Sequence, residues 1–157
     1  MKPKVYIETS IVSYLTARSS NDIRAMANQN TTTEWWENQR LKFDLLVSEF
    51  VIAEASLGHT DAAQRRLAAI AEVAVLEATE EVRVLGQLLI KQGAIPPKAE
   101  IDAYHVAMAA VNGIEYLLTW NCTHIANAFM RPKIEAICRA NGYEPPIICT
   151  PQELMEN

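Results

Sequence analysis

The sequence predicts a three-layer α/β fold, in which helices cover both faces of a mostly parallel central sheet. Short apolar runs rich in β-branched residues alternate along the chain with longer helical patterns, and this alternation is typical of parallel sheets. Several of the helical patterns end at a glycine, which commonly follows a helix. Half of the 157 residues are apolar and 21% are charged, the balance of a globular protein with a proper core. We therefore expect a single domain over residues 1–157.

The chain begins with a predicted strand and two predicted helices. Lys4–Ile7 is short and β-rich, so it predicts a first strand. A hydroxyl cap then opens a short helix over residues 11–17. Residues 22–40 also have a helical pattern, but residues 28–33 are rich in Asn and Thr, which have poor helix propensity. We expect that segment to break this helix in two.

The next elements follow the same alternation. Residues 43–47 predict a second strand, and Ser48 caps a helix over 49–57 that Gly58 ends. Residues 61–71 predict a further helix. The remaining predicted elements are strands over 73–76, 116–119 and 147–149 and helices over 80–92, 98–112 and 131–140.

The carboxyl-terminal residues carry a separate helix signal. Thr150-Pro151-Gln152-Glu153 combines a capping box with a proline at the first helical position. The sequence therefore predicts that a final helix begins here.

Charge and hydropathy exclude several classes of function. The formal net charge is −5, which argues against a strong non-specific nucleic-acid binder, because such binding depends on basic patches. The longest uninterrupted apolar stretch, Val106 to Val111, is too short to cross a bilayer. The amino terminus lacks the apolar region of a secretory signal. The three cysteines have no paired spacing, so a zinc knuckle is not favoured. We expect a cytoplasmic protein without membrane association.

Four polar residues lie where apolar side chains would be typical. Glu8 ends the first strand, and Asn121 follows the apolar run that contains the fourth. In parallel sheets, ligands bind beyond the carboxyl ends of the strands. Glu54 interrupts an apolar helical segment, and Asp102 lies in a helix that soon becomes wholly apolar. Carboxylates are rarely buried unless they are paired or bound to a cation.

Each of these residues also has a structural interpretation. Glu8 and Asn121 can cap the segments that follow them, and Glu54 can extend to water from its helix. An aspartate in the first turn, such as Asp102, is favoured by the helix dipole. His105 shares a face with Asp102, where a lone histidine is more often a hydrogen-bonded core residue than a ligand or an acid/base group.

The joint placement of the four residues favours a metal site. Three carboxylates in one crevice repel each other unless a divalent cation neutralises them. Ligand sets made only of oxygens select Mg²⁺ or Mn²⁺ over zinc. The sequence therefore predicts a Mg²⁺ or Mn²⁺ site at the crevice where Glu8, Glu54, Asp102 and Asn121 are expected to meet.

Short motifs along the whole chain resemble those of PIN domains, and within them the VapC-type toxins of bacterial toxin–antitoxin pairs. Val5-Tyr6-Ile7-Glu8-Thr9-Ser10 is similar to the family's first strand and its acidic residue. Residues 46–54, with Gly58 just after them, resemble its second motif, and Asp102-Ala103-Tyr104-His105-Val106-Ala107 resembles its third. Leu117-Leu118-Thr119-Trp120-Asn121 resembles the fourth, where an aspartate is usual.

The resemblance implies a PIN-like fold and a catalytic site made of Glu8, Glu54, Asp102 and Asn121. It implies a Mg²⁺- or Mn²⁺-dependent endoribonuclease that acts on RNA, forms a homodimer and is silenced by a cognate antitoxin. Two positions depart from the family pattern. Glu8 replaces an aspartate, and Asn121 replaces a carboxylate with an amide, which ligates hard cations more weakly.

These departures keep a second function open, a catalytically silent PIN-like module that binds a protein partner or nucleic acid. An aspartyl-phosphate type of enzyme is less favoured, because Glu8 replaces the nucleophilic aspartate and no glycine-rich phosphate loop follows it.

Trp35 and Trp36 are about 100° apart on a predicted helix, so one ring is expected either to cover a dimer or antitoxin contact or to lie partly exposed on the core. His124, three residues after Asn121, can approach the mouth of the site, but a surface histidine is the favoured interpretation.

Overall fold

Five parallel strands form one sheet in the computed structural model, which describes residues 1–156. In chain order the strands are β1 (Lys4–Ile7), β2 (Asp44–Ser48), β3 (Ala74–Leu76), β4 (Tyr116–Leu118) and β5 (Ile147–Cys149). Their order across the sheet is β3-β2-β1-β4-β5, and every neighbouring pair is parallel. The predicted α/β class is confirmed. All strands therefore end at the same edge of the sheet, with β1 in its centre.

Seven α-helices within residues 1–156 connect the strands. They are α1 (Thr9–Thr16), α2 (Ile23–Asn38), α3 (Glu49–Ala55), α4 (Thr60–Ala69), α5 (Glu80–Lys91), α6 (Glu100–Val111) and α7 (Arg131–Ala140). Helices α1 to α4 pack on one another, and α5 packs on α6 and α7. The chain crosses the sheet in one direction from β1 to β3 and in the other from β3 to β5. Right-handed crossovers therefore place the two groups of helices on opposite faces.

The predicted break in α2 is wrong. The helix runs unbroken from Ile23 to Asn38 because Thr32, in the middle of the weak segment, is fully buried. Its hydroxyl donates to the Asn28 carbonyl at 2.6 Å and accepts the indole N–H of Trp120 at 2.7 Å. Tertiary contacts thus outweigh a small loss in intrinsic helix propensity.

The predicted final helix is also absent from the described residues. Residues 151–154 form hydrogen-bonded turns, although Glu153 does accept the Thr150 backbone N–H at 3.1 Å, as a capping box requires. The Leu154 carbonyl accepts the indole N–H of Trp35 at 3.0 Å. This contact holds the turns of the segment against α2.

Neither ring of the tryptophan pair forms an exposed contact surface. Trp35 is fully buried and stacks on Phe43, with ring centroids 5.8 Å apart. Trp36 is 9% exposed and lies beneath the Arg40 guanidinium, 5.2 Å from the ring centroid. The interface interpretation of these residues is wrong, because the chain's own residues cover both rings.

The three cysteines differ in exposure, and this difference predicts their reactivity. Cys122 is exposed, whereas burial raises the pKa of Cys138 to about 11 and that of Cys149 to about 12. The thiolate is the reactive form, so a higher pKa makes the two buried thiols inert near neutral pH. We expect iodoacetamide to label only Cys122 in the native protein and all three cysteines after unfolding, as read by mass spectrometry. Native labelling of Cys138 at the rate of Cys122 would contradict this burial.

Within residues 1–156, the structure contains no helix of the length and apolar character needed to span a membrane.

Candidate metal site

Glu8 lies directly beyond β1, at the edge of the sheet where all the strands end. Its backbone N–H donates to the Leu118 carbonyl of β4 at 3.1 Å, so the residue continues the sheet by one position. Its side chain caps α1 by accepting the Ser10 backbone N–H at 3.1 Å. The capping interpretation of Glu8 therefore agrees with the structure, and the same carboxylate also faces the site.

The Glu8 carboxylate is buried, with only 4% of the residue exposed. Its Oε1 atom accepts hydrogen bonds from the hydroxyls of Ser10 and Thr119, each at 2.5 Å. Together with the capping N–H on Oε2, three donors satisfy this carboxylate, as a buried charge requires. These donors come from α1 and from the residue after β4, so they fix the carboxylate at the centre of the sheet edge.

Glu54 approaches the same point from α3. Its side chain is about one-third exposed (32%), and its Oε1 atom accepts hydrogen bonds from Thr9 Oγ1 and from His105 Nε2, both at 2.6 Å. Burial raises the pKa of Glu54, but the hydrogen bond and positive charge of His105 and the Thr9 hydroxyl hold it below its usual value. The carboxylate form is thus the one that these contacts stabilise.

Glu8, Glu54 and His105 form one cluster. A single side-chain ligand atom from each lies within 4.8 Å of those of the other two. His105 is fully buried on α6, and its Nδ1 atom lies 2.6 Å from the Tyr6 hydroxyl. Burial lowers the pKa of His105, but the hydrogen bond to Glu54 and the nearby carboxylates raise it above its usual value overall.

Asp102 and Asn121 make a second group of contacts beside this cluster. Asp102 Oδ2 lies 3.0 Å from His124 Nδ1, and Asn121 Oδ1 accepts the His124 backbone N–H at 3.0 Å. Glu54, Asp102 and His124, together with Lys98, line a surface cavity of about 330 Å³. The observed contact of Asn121 is the cap that the sequence left open for it. Its role as a ligand, like that of Asp102, stays a prediction.

The donor set fits a divalent cation. Two carboxylates converge on one point, and the Oε2 atom of Glu54 accepts no hydrogen bond from residues 1–156. Carboxylate oxygens are the ligands that Mg²⁺ and Mn²⁺ prefer, and an imidazole nitrogen would shift the preference toward transition metals. The charge of such an ion would offset the repulsion between the two acids.

The residues that support the two glutamates were not among the predicted site residues. Tyr6 lies in an apolar run, which predicts a core residue. The pattern predicts only helix caps or strand ends for the other three, Thr9, Ser48 and Thr119. The one signal in the sequence is the alternation of β1, which places Tyr6 on the same side of the strand as Glu8, two residues later. His124, for which the sequence favours a surface position, lies at the mouth of the site, where it contacts Asp102.

Comparisons with solved structures find the same fold in bacterial toxins. A toxin from Mycobacterium tuberculosis, VapC20, described as cleaving the sarcin-ricin loop, matches with a TM-score of 0.59 and 17% identity over 90% of this chain and 99% of that one. The VapBC-1 structure from nontypeable Haemophilus influenzae matches with a TM-score of 0.58 and 18% identity over 95% and 98%. The VapBC2 structure from Rickettsia felis, bound to a promoter DNA fragment, matches with a TM-score of 0.57 and 13% identity over 94% and 98%.

No protein-family model matches the sequence, and no curated protein matches it significantly. The structural matches confirm the predicted PIN-like fold over nearly the whole chain. At such low sequence identity, this likeness shows the fold alone.

Proposed function

We propose that this chain is a divalent-metal-dependent endoribonuclease that hydrolyses phosphodiester bonds in RNA. The observation that carries this proposal is the convergence of the Glu8 and Glu54 carboxylates on one point at the carboxyl edge of the sheet. The fold supports it, because one protein with this fold is described as a toxin that cleaves the sarcin-ricin loop. A nuclease site of this kind needs acidic side chains that hold a cation against the phosphate.

Glu8 and Glu54 would hold the ion directly, and Asp102 and Asn121 would complete its surroundings from the adjacent cavity. When bound, Mg²⁺ or Mn²⁺ supplies a water of lowered pKa and neutralises charge on the phosphate. The Thr9, Ser10 and Thr119 hydroxyls hold the two glutamates in fixed orientations. Preorganised ligands avoid the cost of ordering them when the substrate binds.

The cavity beside the cluster carries one basic side chain among three carboxylates, those of Glu54, Glu100 and Asp102, so a phosphate would need the metal ion to bind there. Lys98 lines it together with His124 and Asp102, so an ammonium group lies close to the place where a phosphate would meet the ion. The chain as a whole carries a net charge of −5, which repels RNA elsewhere on its surface. We propose that RNA contacts the protein locally, at this cavity.

A cognate antitoxin is the proposed protein partner. Two of the three structural neighbours described above are VapBC complexes, and a further match is a toxin–antitoxin complex from Klebsiella pneumoniae. We further propose that the chain is a single domain over residues 1–157, acts in the cytoplasm and forms a homodimer. Analytical ultracentrifugation of the purified protein tests the dimer directly.

Asp102→Asn tests the nuclease proposal. We expect the substitution to lower RNA cleavage by about 100-fold, because it removes a charge beside the cluster, while the melting temperature stays nearly unchanged. The measurement is the rate of cleavage of a structured RNA with Mn²⁺ present and with EDTA added. Asp61→Asn, an exposed aspartate on α4, is the matched control and should cleave at the wild-type rate. Full cleavage by purified Asp102→Asn protein would contradict the proposal.

A silent PIN-like module is the second candidate. It is favoured by Asn121, which is neutral and whose Oδ1 atom already accepts a backbone hydrogen bond. Calorimetric titration with Mn²⁺ separates the two functions. A nuclease should release or absorb heat on binding the ion and gain thermal stability by linkage, whereas a silent module should show neither.

A further inference from the structure

Four side chains joined by hydrogen bonds, here called the hydrogen-bond chain, lead from the protein core to the metal site. The Ser48 hydroxyl lies 2.7 Å from the Tyr6 hydroxyl, which lies 2.6 Å from His105 Nδ1. His105 Nε2 in turn lies 2.6 Å from Glu54 Oε1. Ser48, Tyr6 and His105 are all fully buried, so water does not compete for these hydrogen bonds.

The hydrogen bonds of Ser48 decide which group donates and which accepts along the hydrogen-bond chain. Ser48 Oγ caps α3 and accepts the backbone N–H groups of Phe50 and Val51 at 3.1 and 3.4 Å. A hydroxyl has two acceptor lone pairs and one proton, so Ser48 has only its proton left to offer and donates it to Tyr6. Tyr6 then donates its own proton to His105.

The direction of the chain fixes the tautomer of His105. Because Nδ1 accepts from Tyr6, the neutral ring carries its proton on Nε2, where it donates to Glu54. A ring protonated on both nitrogens also carries a proton on Nε2, so the donation to Glu54 does not depend on the charge of the ring. The Nε2 lone pair that a metal ion would need is therefore absent.

We propose that His105 is a positioning residue of the metal site, which orients Glu54 and does not ligate the ion. Its N–H and the Thr9 hydroxyl both hold Oε1 of Glu54, and this leaves Oε2 free to bind the ion. This inference rests on the proposed metal-dependent function. Outer partners that orient a ligand commonly change metal affinity by about 10- to 100-fold.

Two substitutions at His105 test this role by Mn²⁺ calorimetry. His105→Leu removes the N–H donor and is expected to weaken Mn²⁺ binding about 10- to 100-fold. His105→Gln returns an amide N–H near the position of Nε2 and is expected to recover most of that loss. Electron paramagnetic resonance of wild-type protein with Mn²⁺ is expected to show no coupling to a directly bound imidazole nitrogen. Such coupling, or unchanged affinity in His105→Leu, would overturn the inference.

Tyr6→Phe covers the case in which His105→Leu does not fold. It removes the donor to Nδ1 and leaves that buried nitrogen without a hydrogen bond, so the ring is held less firmly against Glu54. We expect about tenfold weaker Mn²⁺ binding. Wild-type affinity would overturn the inference that Tyr6 donates to His105 and so helps to orient Glu54. If wild-type protein binds no Mn²⁺ at all, the proposed function and this inference both fail. If wild type binds and the variants bind equally well, only the inference fails.

Discussion

Glu54→Gln is expected to lower RNA cleavage by about 1,000-fold, which is the largest effect of any single substitution in the site. The amide keeps the size of the side chain and an oxygen that can accept from Thr9 and His105. It removes the negative charge that holds the cation, and a neutral oxygen binds a divalent ion more weakly. The effect exceeds that of Asp102→Asn because Glu54 belongs to the cluster within 4.8 Å.

The measurement is cleavage rate and Mn²⁺ affinity on the same preparation. Glu49→Gln is the control, because Glu49 lies on the same helix but on its exposed side, 3.8 Å from Arg83. It should retain wild-type cleavage and metal affinity. Glu54→Gln protein that melts normally and still cleaves at a rate within tenfold of wild type would show that Glu54 holds no catalytic ion.

Gly86→Ala is expected to destabilise the fold by about 2 kcal/mol, although alanine is the better helix former. The glycine lies in the middle of α5, against the ring of Tyr104 on α6, and an added Cβ atom would lie 2.6 Å from Tyr104 Cε1. Overpacking of this kind costs about 1–3 kcal/mol or more, whereas the gain in helix propensity is only about 1 kcal/mol. Chemical denaturation measures the difference.

The sign of this effect should reverse when the ring is removed. In a Tyr104→Val background, Gly86→Ala no longer meets the ring and should stabilise by up to about 1 kcal/mol. Tyr104 stacks on Phe50 with ring centroids 5.1 Å apart, so the ring cannot move aside without disturbing α3. If Gly86→Ala stabilises the wild-type background too, the packing of α5 on α6 described here is wrong.

The fold could be predicted from the sequence because the signals for its strands and helices are local and repeated. Each strand of the sheet is a short apolar run, and helical periodicity, glycines and hydroxyl caps mark most of the helices. The errors came from contacts between distant residues. The burial of Thr32 keeps α2 whole, and the hydrogen bond from Trp35 to Leu154 holds the last residues as turns against α2.

The candidate site could be predicted from the sequence only in part. The ends of strands predicted that Glu8 would face the sheet edge, and helical periodicity placed Glu54 on an apolar stripe. Asp102 and His105 share one face of α6, and spacing alone does not decide which of them reaches the glutamates. The structure brings His105 to them and places Asp102 against His124. The chain through Tyr6 and Ser48 depends on contacts between β1, β2 and α6, which no local pattern encodes.

The most direct test of this account is a crystal of the protein soaked in Mn²⁺ and measured near the manganese absorption edge. We expect one anomalous peak between the carboxylates of Glu8 and Glu54, with Nε2 of His105 outside its ligand sphere. A soaked crystal with no peak at these two residues, or with manganese bound only elsewhere on the surface, would contradict the claim that this sheet edge is a metal site.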